Sequence, residues 1–315
     1  MWWSWVAIVD ATSLVAEHLV VTVHGLSGFA TDLGYVGRRL EAESDGRVVV
    51  LACTCNEGRT TDGLAAGGRR VADEVSRFEA PSLRTISFLG NSLGGLYARY
   101  ALAHLFDGNL VAGLVPAAFV TTAAPHLGVT DATYAPLLAP LAPLLAPIDA
   151  VSRSVRDVMR QTTVVRDMYD NRFLDPLRAF RARRAYAAVD GDFMVPFRSA
   201  LFTETAGQTF FAEAKPTNTS LVRCLDIPSR GTGCGELAAL DDLGWSKCAV
   251  SLPPDANPLL AALPLAHNKV VALERAGVKR LATPFERTDV GRPVMDDLAR
   301  WIWHTASATL RDGGG

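Results

Sequence analysis

Residues 83–100, LRTISFLGNSLGGLYARY, constrain the fold more tightly than any other stretch of the chain. They open as a short apolar run with Ile86, Phe88 and Leu89, cross Gly90-Asn91-Ser92-Leu93-Gly94, and continue with Leu93, Leu96, Tyr97 and Tyr100 at helical spacing. The pattern predicts strand, sharp turn, helix. Gly-x-Ser-x-Gly in that setting is a turn so tight that side chains two before and two after the serine would collide, so Gly90 and Gly94 answer a steric demand. Ser92 is left protruding at the end of a strand, as a nucleophile must be.

Upstream, the continuous apolar run 18–24 (HLVVTVH) predicts a parallel strand covered on both faces. It runs into His24-Gly25-Leu26-Ser27-Gly28, a candidate oxyanion loop. Acyl transfer needs two backbone NH donors, one from the residue after the nucleophile and one from a loop after an early strand, which here are Leu93 and Leu26. Residues 32–43 are amphipathic, 48–55 (VVVLACTC) read as the next strand, and 62–78 as a helix. Residues 114–121 (LVPAAFVT) predict another buried strand. Strand and helix alternate throughout, which specifies an α/β fold with a mostly parallel sheet and right-handed crossovers. Cys53-x-Cys55 has no second pair at metal-ligand spacing, so no metal is expected and both read as buried thiols.

His126 follows that last strand, but it precedes every plausible acid and Pro125 stiffens its loop; a structural role near the site is expected. From 132 to 147 the sequence is ATYAPLLAPLAPLLAP, in which four prolines forbid one continuous helix. Helical spacing returns over 149–169. The segment from about 128–180 thus reads as a helical cap inserted between core strands of a single domain. Two readings fit its leucines: a lid for a lipid-like acyl group, or plain packing on the core.

Residues 184–189 (RAYAAV) predict a strand that ends at Asp190-Gly191-Asp192. A carboxylate on such a turn can hold the tautomer of a catalytic histidine. Asp192 is preferred because it heads Asp-x-x-Val-Pro, with Asp190 as the alternative. Residues from about 203–242 are polar and Gly/Thr-rich and read as a long irregular excursion. The second half of 243–252 alternates like a strand. His267, in Ala266-His267-Asn268, lies after both serine and acid; His304 does too, but within a C-terminal helical pattern. The order Ser92, Asp192, His267 completes a candidate triad.

With 31 basic against 33 acidic residues, the chain has no electrostatic footprint for nucleic acid. Five cysteines in 315 residues do not make a disulfide scaffold, and MWWSWVAIVD lacks the charged start of a signal peptide; a reduced, cytoplasmic setting is the expectation. Trp2, Trp3 and Trp5 would allow a peripheral membrane contact, although core packing or a disordered start is the simpler reading.

His24-Gly25-Leu26, the 90–95 block, 121–128, 186–200, Leu243-Gly244-Trp245-x-Lys247 and Ala266-His267-Asn268 together resemble the eukaryotic serine esterases of the lipase-like α/β-hydrolase superfamily, plant members above all. The resemblance implies an α/β-hydrolase fold and a lipase or carboxylesterase without cofactor, acting on a small-molecule ester or lipid. It implies Ser92 as nucleophile, Asp192 as acid and His267 as base. A thioesterase or acyltransferase would use the same triad, and a non-catalytic ligand-binding member of the fold would keep the same pocket.

Overall fold

The computed structural model describes residues 16–129, 152–228, 235–254, 266–274 and 288–312. Its centre is an eight-stranded sheet. The strands are β1 (His18–Val23), β2 (Val48–Ala52), β3 (Thr85–Asn91), β6 (Val115–Thr122), β7 (Ala182–Ala188), β8 (Lys215–Pro216), β9 (Val222–Ile227) and β10 (Trp245–Val250). A separate two-stranded ribbon pairs β4 (Phe106–Asp107) with β5 (Leu110–Val111).

Spatial order in the main sheet is β2-β1-β3-β6-β7-β10-β9-β8. The run from β2 to β10 is parallel, and β9 and β8 extend it antiparallel. β3, which delivers Ser92, therefore lies between β1 and β6, buried along its whole length. This is the mostly parallel, doubly covered sheet expected of an α/β-hydrolase.

Alternation along the strands feeds two cores. Leu19, Val21 and Val23 of β1 join Ile86 and Phe88 of β3 on one face, while Val20 and Leu89 point to the other. The first face is covered by α2 (Leu64–Ser76) and α3 (Leu93–Leu105), the second by α1 (Gly34–Glu43) and α11 (Arg292–Asp312). Each large apolar side chain so buried contributes about 2 kcal/mol. α2 and α3 approach closely because Gly67 and Gly68 have no side chains: a Cβ at Gly67 would stand 2.2 Å from the Tyr97 ring.

The remaining helices are α4 (Arg153–Val158), α5 (Val164–Asp167), α6 (Asn171–Arg178), α7 (Phe197–Ala200), α8 (Gly207–Glu213), α9 (Glu236–Asp241) and α10 (Ala266–Lys269). The helical pattern over 149–169 is broken in the structure. α4 stops where Arg160 takes φ 61°, a left-handed conformation, and a new short helix begins at Val164. Val158, Val165, Met168, Phe173, Leu174 and Leu177 from this part of the chain are buried in the first core, and Val155 is buried beside the serine's cleft. The Leu/Pro-rich stretch 132–147 and Trp2, Trp3 and Trp5 lie outside the described residues.

The stretch 203–242 carries more regular structure than its polar composition suggests, with α8, β8, β9 and α9 all within it. One of its two cysteines is also paired: Cys224 is directly opposite Cys248 in the β9–β10 register and bonded to it, with Cα atoms 4.1 Å apart. Two of the cysteines are thus not free thiols, a pairing set by a register that sequence does not display. Cys53 and Cys55 remain thiols, and burial pushes both up in pKa. Among the described residues no helix is long and apolar enough to cross a membrane.

Candidate active site

Ser92 stands between β3 and α3 at φ 54° and ψ −127°. A non-glycine residue in that conformation costs on the order of 1–3 kcal/mol, and its neighbours hold it there. The Ser92 amide donates to Thr122 O at 2.8 Å, and Gly95 N donates to Ser92 O at 3.0 Å. The flanking glycines are required by contact: a Cβ on Gly94 would lie 2.1 Å from Val23 O, and one on Gly90 would lie 2.5 Å from the Gly95 Cα. Asn91 faces away into β6, where its Oδ1 accepts from Thr122 Oγ1 at 2.9 Å.

The loop after β1 packs directly on the serine. A Cβ at Gly25 would come within 2.8 Å of the Ser92 Cβ, so only glycine allows this approach. His24 beside it is buried, and its Nδ1 donates to Gly25 O at 3.0 Å, which shapes the turn. Leu26, Ser92 and Leu93 line one narrow cleft with Pro125, Met194 and Val195. The amides of Leu26 and Leu93 donate to no other described residue. Leu93 opens α3, where intrahelical partners for the amide are lacking in any helix.

Asp192 and His267 meet, although 75 residues separate them. Asp192 Oδ2 accepts from His267 Nδ1 at 2.8 Å, with both side chains about 5% exposed or less. The second carboxylate oxygen accepts from the amides of Met194 and Val195, each at 2.9 Å. Asp192 thereby joins the histidine to the wall of the serine's cleft. The two loops are tied again where Ala266 N donates to Gly191 O at 2.9 Å. Asp190, by contrast, is exposed, and its carboxylate accepts from Gln208 Nε2 at 2.7 Å. His304 is exposed on α11.

Beneath the serine's helix lies a buried polar cluster in which the sequence singled out His126, as a structural residue near the site, but not the arginine that holds it. Arg99, on α3, is fully buried. It donates to His126 Nδ1 at 3.3 Å and to Met168 O at 3.0 Å, and its guanidinium lies 5.2 Å from the Tyr169 ring centre. Since arginine can only donate, His126 Nδ1 is an acceptor and its Nε2–H faces Thr121 Oγ1 at 2.9 Å. Burial first, then the positive charges of Arg99 and Lys247, hold this ring well below the usual histidine range. Both nitrogens are committed, and Tyr169 OH donates to the His126 carbonyl at 2.5 Å. Lys247 completes the support by donating to Phe202 O at 2.8 Å while paired with Asp241 at 2.6 Å. An arginine at an ordinary helical position carries no mark of burial in a sequence; the Trp245-x-Lys247 motif was the one available signal.

Residues 14–207 match the model of the family described as "Putative serine esterase (DUF676)". The chain is similar to a protein of Saccharomyces cerevisiae named "Putative lipase ROG1", at 28% identity over 195 residues, spanning 58% of this chain and 28% of that one. Among solved structures, a lipase-esterase related protein from Clostridium acetobutylicum is 15% identical with a TM-score of 0.35, covering 56% of this chain and 76% of its own. RedJ, solved with a PEG molecule in its active site, is 16% identical with a TM-score of 0.31, over 56% and 73% of the two chains. Superpositions this loose add nothing to what the sheet order establishes. The family match covers more than half of the sequence, including β1, the serine turn and the Asp192 loop, and on it this chain belongs to the serine esterase family so described.

Proposed function

We propose that the protein hydrolyses carboxylic esters through a covalent acyl-enzyme, with Ser92 as nucleophile, His267 as general base and acid, and Asp192 as the residue that orients it. The 2.8 Å contact between Asp192 Oδ2 and His267 Nδ1 carries this reading. With Nδ1–H given to the carboxylate, Nε2 is the nitrogen left to take the Ser92 proton.

Ser92 Oγ attacks the ester carbonyl carbon while His267 Nε2 accepts the hydroxyl proton. The carbonyl oxygen becomes an oxyanion, for which the Leu26 and Leu93 amides are the donors, each contributing about 3 kcal/mol. Collapse breaks the bond to the alcohol oxygen, which leaves with the proton from His267. Water then attacks the acyl-serine by the same sequence in reverse and releases the acid. Neither oxyanion donor has another partner among the described residues. The apolar lining of the cleft suits an acyl chain, and a lipid-derived ester is the substrate class we favour.

Hydrolysis of p-nitrophenyl butyrate by purified variants tests the assignment. Asp192→Asn is expected to lower kcat by about 10⁴-fold, because the amide favours the wrong histidine tautomer. Asp190→Asn is expected to stay within about threefold of wild type, since surface substitutions away from the site perturb little. Equal losses in the two would remove Asp192 from the role.

A further inference from the structure

The cleft beside Ser92 is small, about 30 Å³, space for about two water molecules. Val155 and Val158 of α4 line the same cleft as Ser92, and Val129 lines it with them. What holds that wall is polar. Ser154 Oγ accepts from Gly63 N at 2.9 Å, and Asp157 Oδ2 accepts from Leu64 N at 2.8 Å, so both side chains satisfy the first amides of α2 from ninety residues away. Thr162 Oγ1 donates to the other oxygen of Asp157 at 2.7 Å. Asp157 is 2% exposed and Ser154 fully buried.

The attachment is specific in shape as well as in bonding. Gly63 sits at φ 109°, and a Cβ there would lie 2.7 Å from Arg153 Cδ and 3.3 Å from Asp157 Oδ2, so α4 seats only against glycine. Backbone bonds close both ends: Arg153 N donates to Thr61 O at 2.9 Å and Val129 N to Val158 O at 2.7 Å. α2 is itself fixed to α3, where Tyr97 fills the space over Gly67 and donates to Thr60 O at 2.9 Å. α3 carries Ser92 at its start. A continuous set of contacts thus runs from the serine's helix, through α2, to the valines that line the serine's cleft.

We propose that Asp157 and Ser154 form a polar latch that fixes this wall, and that the latched Val155 and Val158 restrict the enzyme to short acyl groups. The inference rests on the ester-hydrolase reading above. Val155 and Val158 determine specificity directly; Asp157 is a positioning residue that acts through them.

The test is the ratio of kcat/KM for p-nitrophenyl octanoate to that for the butyrate. Val158→Ala removes wall and is expected to raise the ratio at least about tenfold. Asp157→Ala frees the wall and should raise it in the same direction, whereas Asp157→Asn, which keeps an acceptor for Leu64 N, should return the ratio toward wild type. A purely structural role for Asp157 would lower both substrates alike and leave the ratio unmoved. An unchanged ratio in both Val158→Ala and Asp157→Ala, with folded protein by circular dichroism, overturns the latch while leaving the hydrolase intact. A wild-type protein that cleaves no ester of any length overturns the hydrolase reading and the latch with it.

Discussion

His267 and His18 show how differently the fold treats one residue type. His267 is buried against a carboxylate that directs its Nδ1 proton. His18 is buried at the start of β1 with Thr85 Oγ1 at 2.7 Å from its Nδ1, and burial pushes its pKa from 6.5 down to about 3. His126 is depressed for the same reason. Both rings are neutral in the folded protein, while the unfolded chain protonates them near pH 6.5. Below that pH the unfolded state binds more protons, so stability is lost as pH falls, by about 1.4 kcal/mol per pH unit for each histidine. His18→Leu should therefore flatten the decline of unfolding free energy between pH 6.5 and 4.5 by about that slope, measured by urea titration; an unaltered slope would mean that His18 is not held neutral. At this scale the candidate site was the most legible part of the chain. Ser92 and Asp192 sit at turns marked by neighbouring glycines, and His267 is marked by its place in the chain after both, whereas Arg99 sits in a plain helical repeat that gives no hint of where its guanidinium goes.

The strand-turn-helix unit at Ser92 works because its glycines admit neighbouring backbone. Gly94 contacts β1 and Gly90 contacts the first turn of α3, so the serine's geometry is fixed by two elements besides its own. Gly94→Ala places a methyl carbon within 2.1 Å of Val23 O, where only backbone can yield. It is expected to cost more than about 3 kcal/mol, against about 1 kcal/mol for Gly46→Ala, whose φ is 78° but whose surroundings are open. Thermal unfolding of the two variants separates these; similar midpoints would mean that the close approach at Gly94 is relieved cheaply. Most parallel strands and the helices between them were readable, because burial on both faces leaves unbroken apolar runs such as 18–24. The 149–169 helix was not, since its break depends on the left-handed turn at Arg160 and on Asp157 bonding to a helix distant in sequence.

Taken whole, the molecule assembles its candidate site from widely separated stretches of chain: the loops after β1, β3 and β7, and the α10 turn that carries His267. The parallel part of the sheet followed from the alternation of strands and helices. The antiparallel edge of β9 and β8, and with it the Cys224–Cys248 bond, did not, because partners and register there are set by packing and leave no periodic trace in a polar segment. Under the proposed mechanism Ser92 is an ordinary hydroxyl until these parts are in place, so its reactivity should belong to the folded protein alone. The most direct measurement is covalent labelling by an alkyl fluorophosphonate, read by intact mass and peptide mapping in native buffer and in urea. One adduct on Ser92 of the folded protein, lost in Ser92→Ala and in the unfolded chain, is the predicted result. No adduct on the folded protein, or one on any other residue, would contradict the assignment.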